Sequence, residues 1–87
     1  MGMNSELDEL ELPIRGFLGR HIRSELPESN MDLFAGGFAN SLLAVQLVHF
    51  LEEQFGLTLD NEDLRLENFC SIDAMTALVR RKRSDGT

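Results

Sequence analysis

The sequence predicts an all-α fold: a small helical bundle of three long helices plus one short helix, with a long loop between the first and second helices. Three observations carry this. Apolar residues recur at helical spacing in three separate stretches, clusters of turn-forming residues separate those stretches, and 87 residues suffice for one core but not for two lobes with a cleft between them. Each element follows from its own residues. The first helix runs from about 7–12 to 24, with Leu10, Ile14, Phe17, Leu18 and Ile22 on one stripe. Pro13 fits its first turn, where a missing N–H costs nothing. Gly16 and Gly19 each cost this helix about 1 kcal/mol relative to alanine, so they point either to close packing or to simple tolerance.

Pro27, Glu28, Ser29 and Asn30 then break the helix and open a loop that lasts to Ala39. Met31, Leu33, Phe34 and Phe38 are its apolar residues, and several are expected to pin it to the bundle. Structureless connections of this length are uncommon in compact domains and are often functional. Gly36 and Gly37 supply positive φ or close backbone approach just before Ser41. Neither a following lysine nor a preceding strand accompanies them, which rules out a nucleotide-phosphate loop. The second helix spans 42–55, and Gly56 ends it. Asp60 caps a short helical segment over 61–66, with Asp63 at its third position. Ser71 caps the last helix, in which Ile72, Met75, Leu78 and Val79 form the buried stripe. Arg80, Arg81, Lys82 and Arg83 fall at its C-terminal end, where cations oppose the helix dipole. The whole is read as one domain with a core over about 10–80 and flexible ends at 1–8 and 84–87.

Composition narrows the function. A net charge of −7 opposes nucleic-acid binding and favours partners with basic surfaces. No apolar run is long enough to span a membrane, and the N-terminus has no signal-peptide pattern. The single cysteine, Cys70, excludes an internal disulfide and fits a reducing, cytoplasmic setting. His21 and His49 stand apart from any cysteine or carboxylate at ligand or triad spacing, so neither a metal site nor a catalytic constellation is expected. The acidic run 60–63 lacks the spacing and glycine of a calcium loop and reads as a capped surface turn. Nothing beside Ser41 in the sequence would activate its hydroxyl as a nucleophile.

An angular count along the second helix places Ala44, Leu47, Val48, Leu51 and Phe55 on the core side. Leu42, Leu43, Gln46, His49, Phe50 and Glu53 gather on the other. Two readings of that second side stand open: contact with flanking helices, or an apolar docking patch at Leu42 and Leu43 rimmed by Gln46, His49 and Glu53. Asn40 and Ser41 are both good N-cap residues, so the Ser41 hydroxyl is expected at the positive end of this helix, where a phosphate ester would meet unpaired N–H groups. On local chemistry alone the simpler reading is a plain cap.

Asp32-Leu33-Phe34, then Gly37-x-x-Asn40-Ser41-Leu42, then a helix containing Leu47 and ending Glu52-Glu53-x-Phe55-Gly56, resembles the acyl and peptidyl carrier proteins. The likeness covers roughly residues 12–79. It implies a non-catalytic, monomeric carrier in which Ser41 bears a 4′-phosphopantetheine arm, flanked by Gly37 and Asn40. A phosphopantetheinyl transferase would attach the arm from coenzyme A, and the arm's thiol would hold an acyl group as a thioester. Two departures stand out. Asn40 replaces the aspartate that usually precedes the serine, and Leu43 stands where many fatty-acid carriers are acidic. The run from Phe38 to Val48 is most similar to free-standing carriers of methoxymalonyl, hydroxymalonyl and aminomalonyl polyketide extender units. In the first two systems a glyceryl group is loaded by an acyl-loading enzyme, oxidised on the arm by dehydrogenases, and passed by an acyltransferase to a synthase module. A free-standing peptidyl carrier is the second reading, and a helical adaptor with Ser41 as a mere cap is the third.

Overall fold

The computed structural model describes the backbone of residues 5–22 and 25–85 and the side chains of 9–22 and 25–83. Four α-helices follow one another: α1 Ser5–His21, α2 Ser41–Phe55, α3 Leu66–Phe69 and α4 Ile72–Asp85, with a 3₁₀ turn Asn61–Asp63 between α2 and α3. Among the described residues there is no strand, so the expected all-helical bundle of three long helices and one short one is the fold observed. α4 packs against both α1 and α3, and α1 packs against α2.

The α1 stripe is buried as its spacing requires: Leu10, Ile14 and Leu18 are fully enclosed, with Phe17 and Ile22 nearly so. Ile72, Met75, Leu78 and Val79 of α4 are likewise sealed from solvent. Gly16 and Gly19 are exposed, and a Cβ at either would meet nothing within 4 Å, so they are tolerated and not packed. Boundaries differ from expectation in three places. The described part of α1 begins at Ser5 and ends at His21. The anticipated end at Ser24 lies outside the described residues, as does 1–4 of the lead-in expected over 1–8, whose 5–8 are helical. α4 continues through Ser84 to Asp85, with only 86–87 outside. The short helix sits at Leu66–Phe69, one step after the capped turn in which it was expected.

Caps explain the punctuation. The Ser71 Oγ accepts the Ala74 N–H at 3.0 Å, and the Ser29 carbonyl accepts the Asp73 N–H at 2.9 Å, so two orphan donors of α4 are satisfied, one of them by the long loop. Gly56 adopts left-handed φ 66° and closes α2 by donating its N–H to the Glu52 carbonyl. The Glu52 carboxylate then takes the Leu59 N–H at 3.0 Å and holds the following connection down. At the far end, Lys82 donates to Asp63 at 2.8 Å and to Asp60 at 3.2 Å, fastening the 3₁₀ turn to α4. The Lys82 hydrogen bond, then the Asp60 N–H, hold the Asp63 carboxyl below its ordinary value of 3.8. The same carboxylates, Asp63 foremost, raise Lys82 above 10.5.

Three outcomes follow from this packing. Gly16→Ala and Gly19→Ala should each stabilise the fold by about 1 kcal/mol in denaturant titrations, without changing the slope. Leu43 is 7% exposed and belongs to the core. Its replacement by alanine should therefore lower stability by about 2–5 kcal/mol, and by glutamate more; an unchanged midpoint would place it outside the core. Lys82→Met should melt slightly below the parent at neutral pH. Because the Asp63 contribution is present above its ordinary pKa of 3.8 and lost as pH falls through its lowered folded value, that gap should close below pH 3.8.

Candidate functional site

The loop leading to Ser41 is organised by one apolar residue, Leu33. Its side chain is fully buried, and its N–H donates to the Cys70 carbonyl at 2.6 Å, just ahead of α4. Its own carbonyl accepts the N–H groups of Phe38 at 2.8 Å and Ala39 at 3.1 Å, folding the chain back on itself. Asp32 shapes the turn from the other side: one carboxylate oxygen accepts the N–H groups of Phe34 and Ala35, each at 3.0 Å. The two glycines serve different needs. Gly37 has φ +82°, which side-chain-bearing residues rarely adopt, whereas a Cβ on Gly36 would lie 3.0 Å from the Phe38 ring and 3.2 Å from the Asp32 carbonyl. Phe34 and Phe38 are half-buried against the core, while Met31 stays 43% exposed.

After this turn Asn40 takes extended backbone angles and becomes the N-cap of α2, its Oδ1 accepting the Leu43 N–H at 3.0 Å. Ser41 is thus the first helical residue, one place inside the cap, and it is exposed. Among the described residues no acceptor within the chain takes the N–H of Ser41 or of Leu42, and the first turn of α2 carries no acidic side chain. The helix therefore presents two free donors and the positive end of its dipole beside a solvent-facing hydroxyl. Among the described residues no side chain hydrogen-bonds that hydroxyl.

Further along α2 the faces separate, though not where the angular count put them. Leu42, Gln46, His49 and Glu53 share one exposed face as expected. Leu43 does not join them; it lines up with Leu47 and Leu51 in the core, which corrects its assignment to a docking patch. Phe50 is also turned inward, stacked on Phe17 with centroids 4.5 Å apart. The cause is the neighbour: contact with α1 rotates the buried stripe toward Leu43 and Phe50 and leaves Ala44, Val48 and Phe55 at its half-buried margin. Val45, which sequence reasoning passed over, is 55% exposed beside Leu42 at 68%. Its position three residues after Leu42 was the available signal.

The remaining candidates stay apart. The ring of His21 packs on Phe17 with Nδ1 3.0 Å from the Phe17 carbonyl, and His49 is exposed on α2. Cys70 is half-buried, its thiol directed to the Glu67 carbonyl at 3.4 Å. Among the described residues no group of three or more histidine, cysteine or carboxylate side chains is placed to hold a metal, and no helix is long and apolar enough to cross a membrane.

Comparison with curated proteins and with solved structures found no significant match. The family described as the phosphopantetheine attachment site does match, over residues 14–79, from the middle of α1 into α4 and with the Ser41 loop inside it. That span takes in most of the 87 residues and all of the shared core except Leu10, so the chain belongs to the phosphopantetheine-attachment family, whose prosthetic group is a covalently bound 4′-phosphopantetheine.

Proposed function

We propose that the protein is an acyl carrier protein whose arm is esterified to the Ser41 oxygen, and that its cargo is a polyketide extender unit. One observation carries the attachment point: an exposed hydroxyl at the first position of α2, held there by the Leu33–Phe38 turn, with the Ser41 and Leu42 N–H groups unspent. Those residues fit a phosphodiester. Its negative charge would face two free donors and the helix dipole, with no carboxylate in the first turn to repel it. Gly37 gives the turn its left-handed step, and Asn40 fixes the helix start while adding no charge. When bound, the group supplies a thiol that holds an acyl chain as a thioester.

The domain's own contribution is positional. Because no described side chain is placed to take the proton from the Ser41 hydroxyl, the esterification belongs to an external phosphopantetheinyl transferase, with coenzyme A as donor. The exposed face carrying Leu42, Gln46, His49 and Glu53 is the proposed docking surface for that enzyme and for an acyl-loading enzyme, dehydrogenases, and an acyltransferase or synthase module. Transient docking suits a carrier, since cargo is released to successive partners. The lone reduced thiol of Cys70 is compatible with a cytoplasmic setting. The extender-unit assignment rests on the residues from Phe38 to Val48, and a peptidyl carrier for an activated amino acid is the second reading on the same attachment chemistry.

Incubation with coenzyme A and a broad-specificity transferase should add the mass of one phosphopantetheine to the intact chain, and Ser41→Ala should abolish the gain. No gain under conditions that modify a control carrier would leave Ser41 as a plain helix start and the protein as an adaptor.

A further inference from the structure

The outer face of α1 is unpartnered within the chain, and its charges complement one another end to end. Leu12 is 64% exposed, and Gly16 and Gly19 follow it on the same side of the helix, within about 60° of arc at 3.6 residues per turn. Nothing in the chain lies within 4 Å of where a Cβ on either glycine would sit, so the fold itself draws nothing from their small size. Glu9 and Arg20 flank this strip along one edge, about 16 Å apart on the helix axis. Both are exposed, and among the described residues neither makes an ion pair; the Arg20 guanidinium lies 5.8 Å from the Phe17 ring centroid. Pro13 lies inside the helix, yet the exposed positions continue on one face across it, with Leu10, Ile14, Phe17 and Leu18 buried behind them.

We infer that this face is a contact between two copies of the chain, in which the α1 helices pack antiparallel about a two-fold axis. Two requirements meet in a single register. Setting each Leu12 between the partner's Gly16 and the partner's Gly19 fills the space that a Cβ would close. The same alignment puts Glu9 opposite the partner's Arg20, and by symmetry Arg20 opposite the partner's Glu9. A parallel pair would instead bring like charges together. Arg15, close to the axis, is already neutralised by Glu11 at 2.6 Å. The bare glycines let the helix axes approach closely, and covering Leu12 removes apolar surface from water. One helix face per copy buries little area beside stable dimers, and the net charge of −7 on each copy repels at a distance. The contact therefore forms at high concentration, with a Kd on the order of 100 µM, and the chain is a monomer below it. It uses no residue of α2 and stands independently of the carrier reading.

Sedimentation equilibrium of the full chain from about 10 µM to about 1 mM tests this, with reductant present so that Cys70 cannot link two chains. The parent should move from the mass of one chain towards that of two. Glu9→Arg and Arg20→Glu should each weaken the dimer by about tenfold or more, because each sets like charges opposite one another twice. Mixing the two variants should restore parental association, since every facing pair is then of opposite sign. Gly16→Ala combined with Gly19→Ala should make the monomer more stable and yet weaken the dimer by about tenfold. A parent that keeps the mass of one chain throughout overturns the inference. So does a dimer that the mixed charge variants fail to restore, or one that the glycine variants leave unchanged. Loading of Ser41 is read separately by intact mass, so the failure of either reading leaves the other in place.

Discussion

The placement of Ser41 depends on the burial of Leu33. A loop between two helices has no regular partners for its backbone groups, so it holds a shape only where side chains or neighbouring elements supply them. Leu33 does this in both directions, donating to Cys70 at the α3–α4 junction and accepting from Phe38 and Ala39, while its side chain anchors the turn in the core. The Ser29 carbonyl adds a second tie, to the start of α4. The approach to α2 is thereby tied to an element remote in sequence, and the hydroxyl projects from a turn braced by the core.

α2 carries two obligations on one short cylinder. The stripe of Leu43, Leu47 and Leu51 closes the bundle, while the face of Leu42, Val45, Gln46 and His49 is left to water. The boundary between them falls within a pair of adjacent leucines. Their chemistry is identical, and only the direction of α1, set by the Phe17–Phe50 stack, decides which is hidden. An angular count on one helix has no access to that direction, which is why Leu43 and Phe50 were legible as apolar but not as buried.

What the residues did reveal follows the same logic. The α1 and α4 stripes, the Ser71 cap, the Gly56 terminus and the two roles of Gly36 and Gly37 are local matters, decided by spacing and backbone sterics within a few residues. The local geometry around Ser41 was legible for that reason: its cap, its turn and its helix are contiguous. Tertiary ties were not. Lys82 read as one of four cations at a helix end, and only the folded chain brings it onto Asp60 and Asp63. The short α3 escaped as well, since four residues have too little period to register and its Phe69 is buried by α4.

The absence of charge over residues 33–51 has a cost before the protein is folded. In a nascent chain, aliphatic and aromatic side chains without like-charge repulsion are the usual seeds of self-association, and this domain concentrates them around Ser41. Two safeguards are built into the same stretch. The paired glycines interrupt any extended segment that could template a neighbour, and Asp32 together with Glu52 and Glu53 stands guard at its ends. A bundle of short local contacts also closes quickly, so the vulnerable stretch is hidden soon after synthesis, apart from exposed side chains such as Leu42 and Val45.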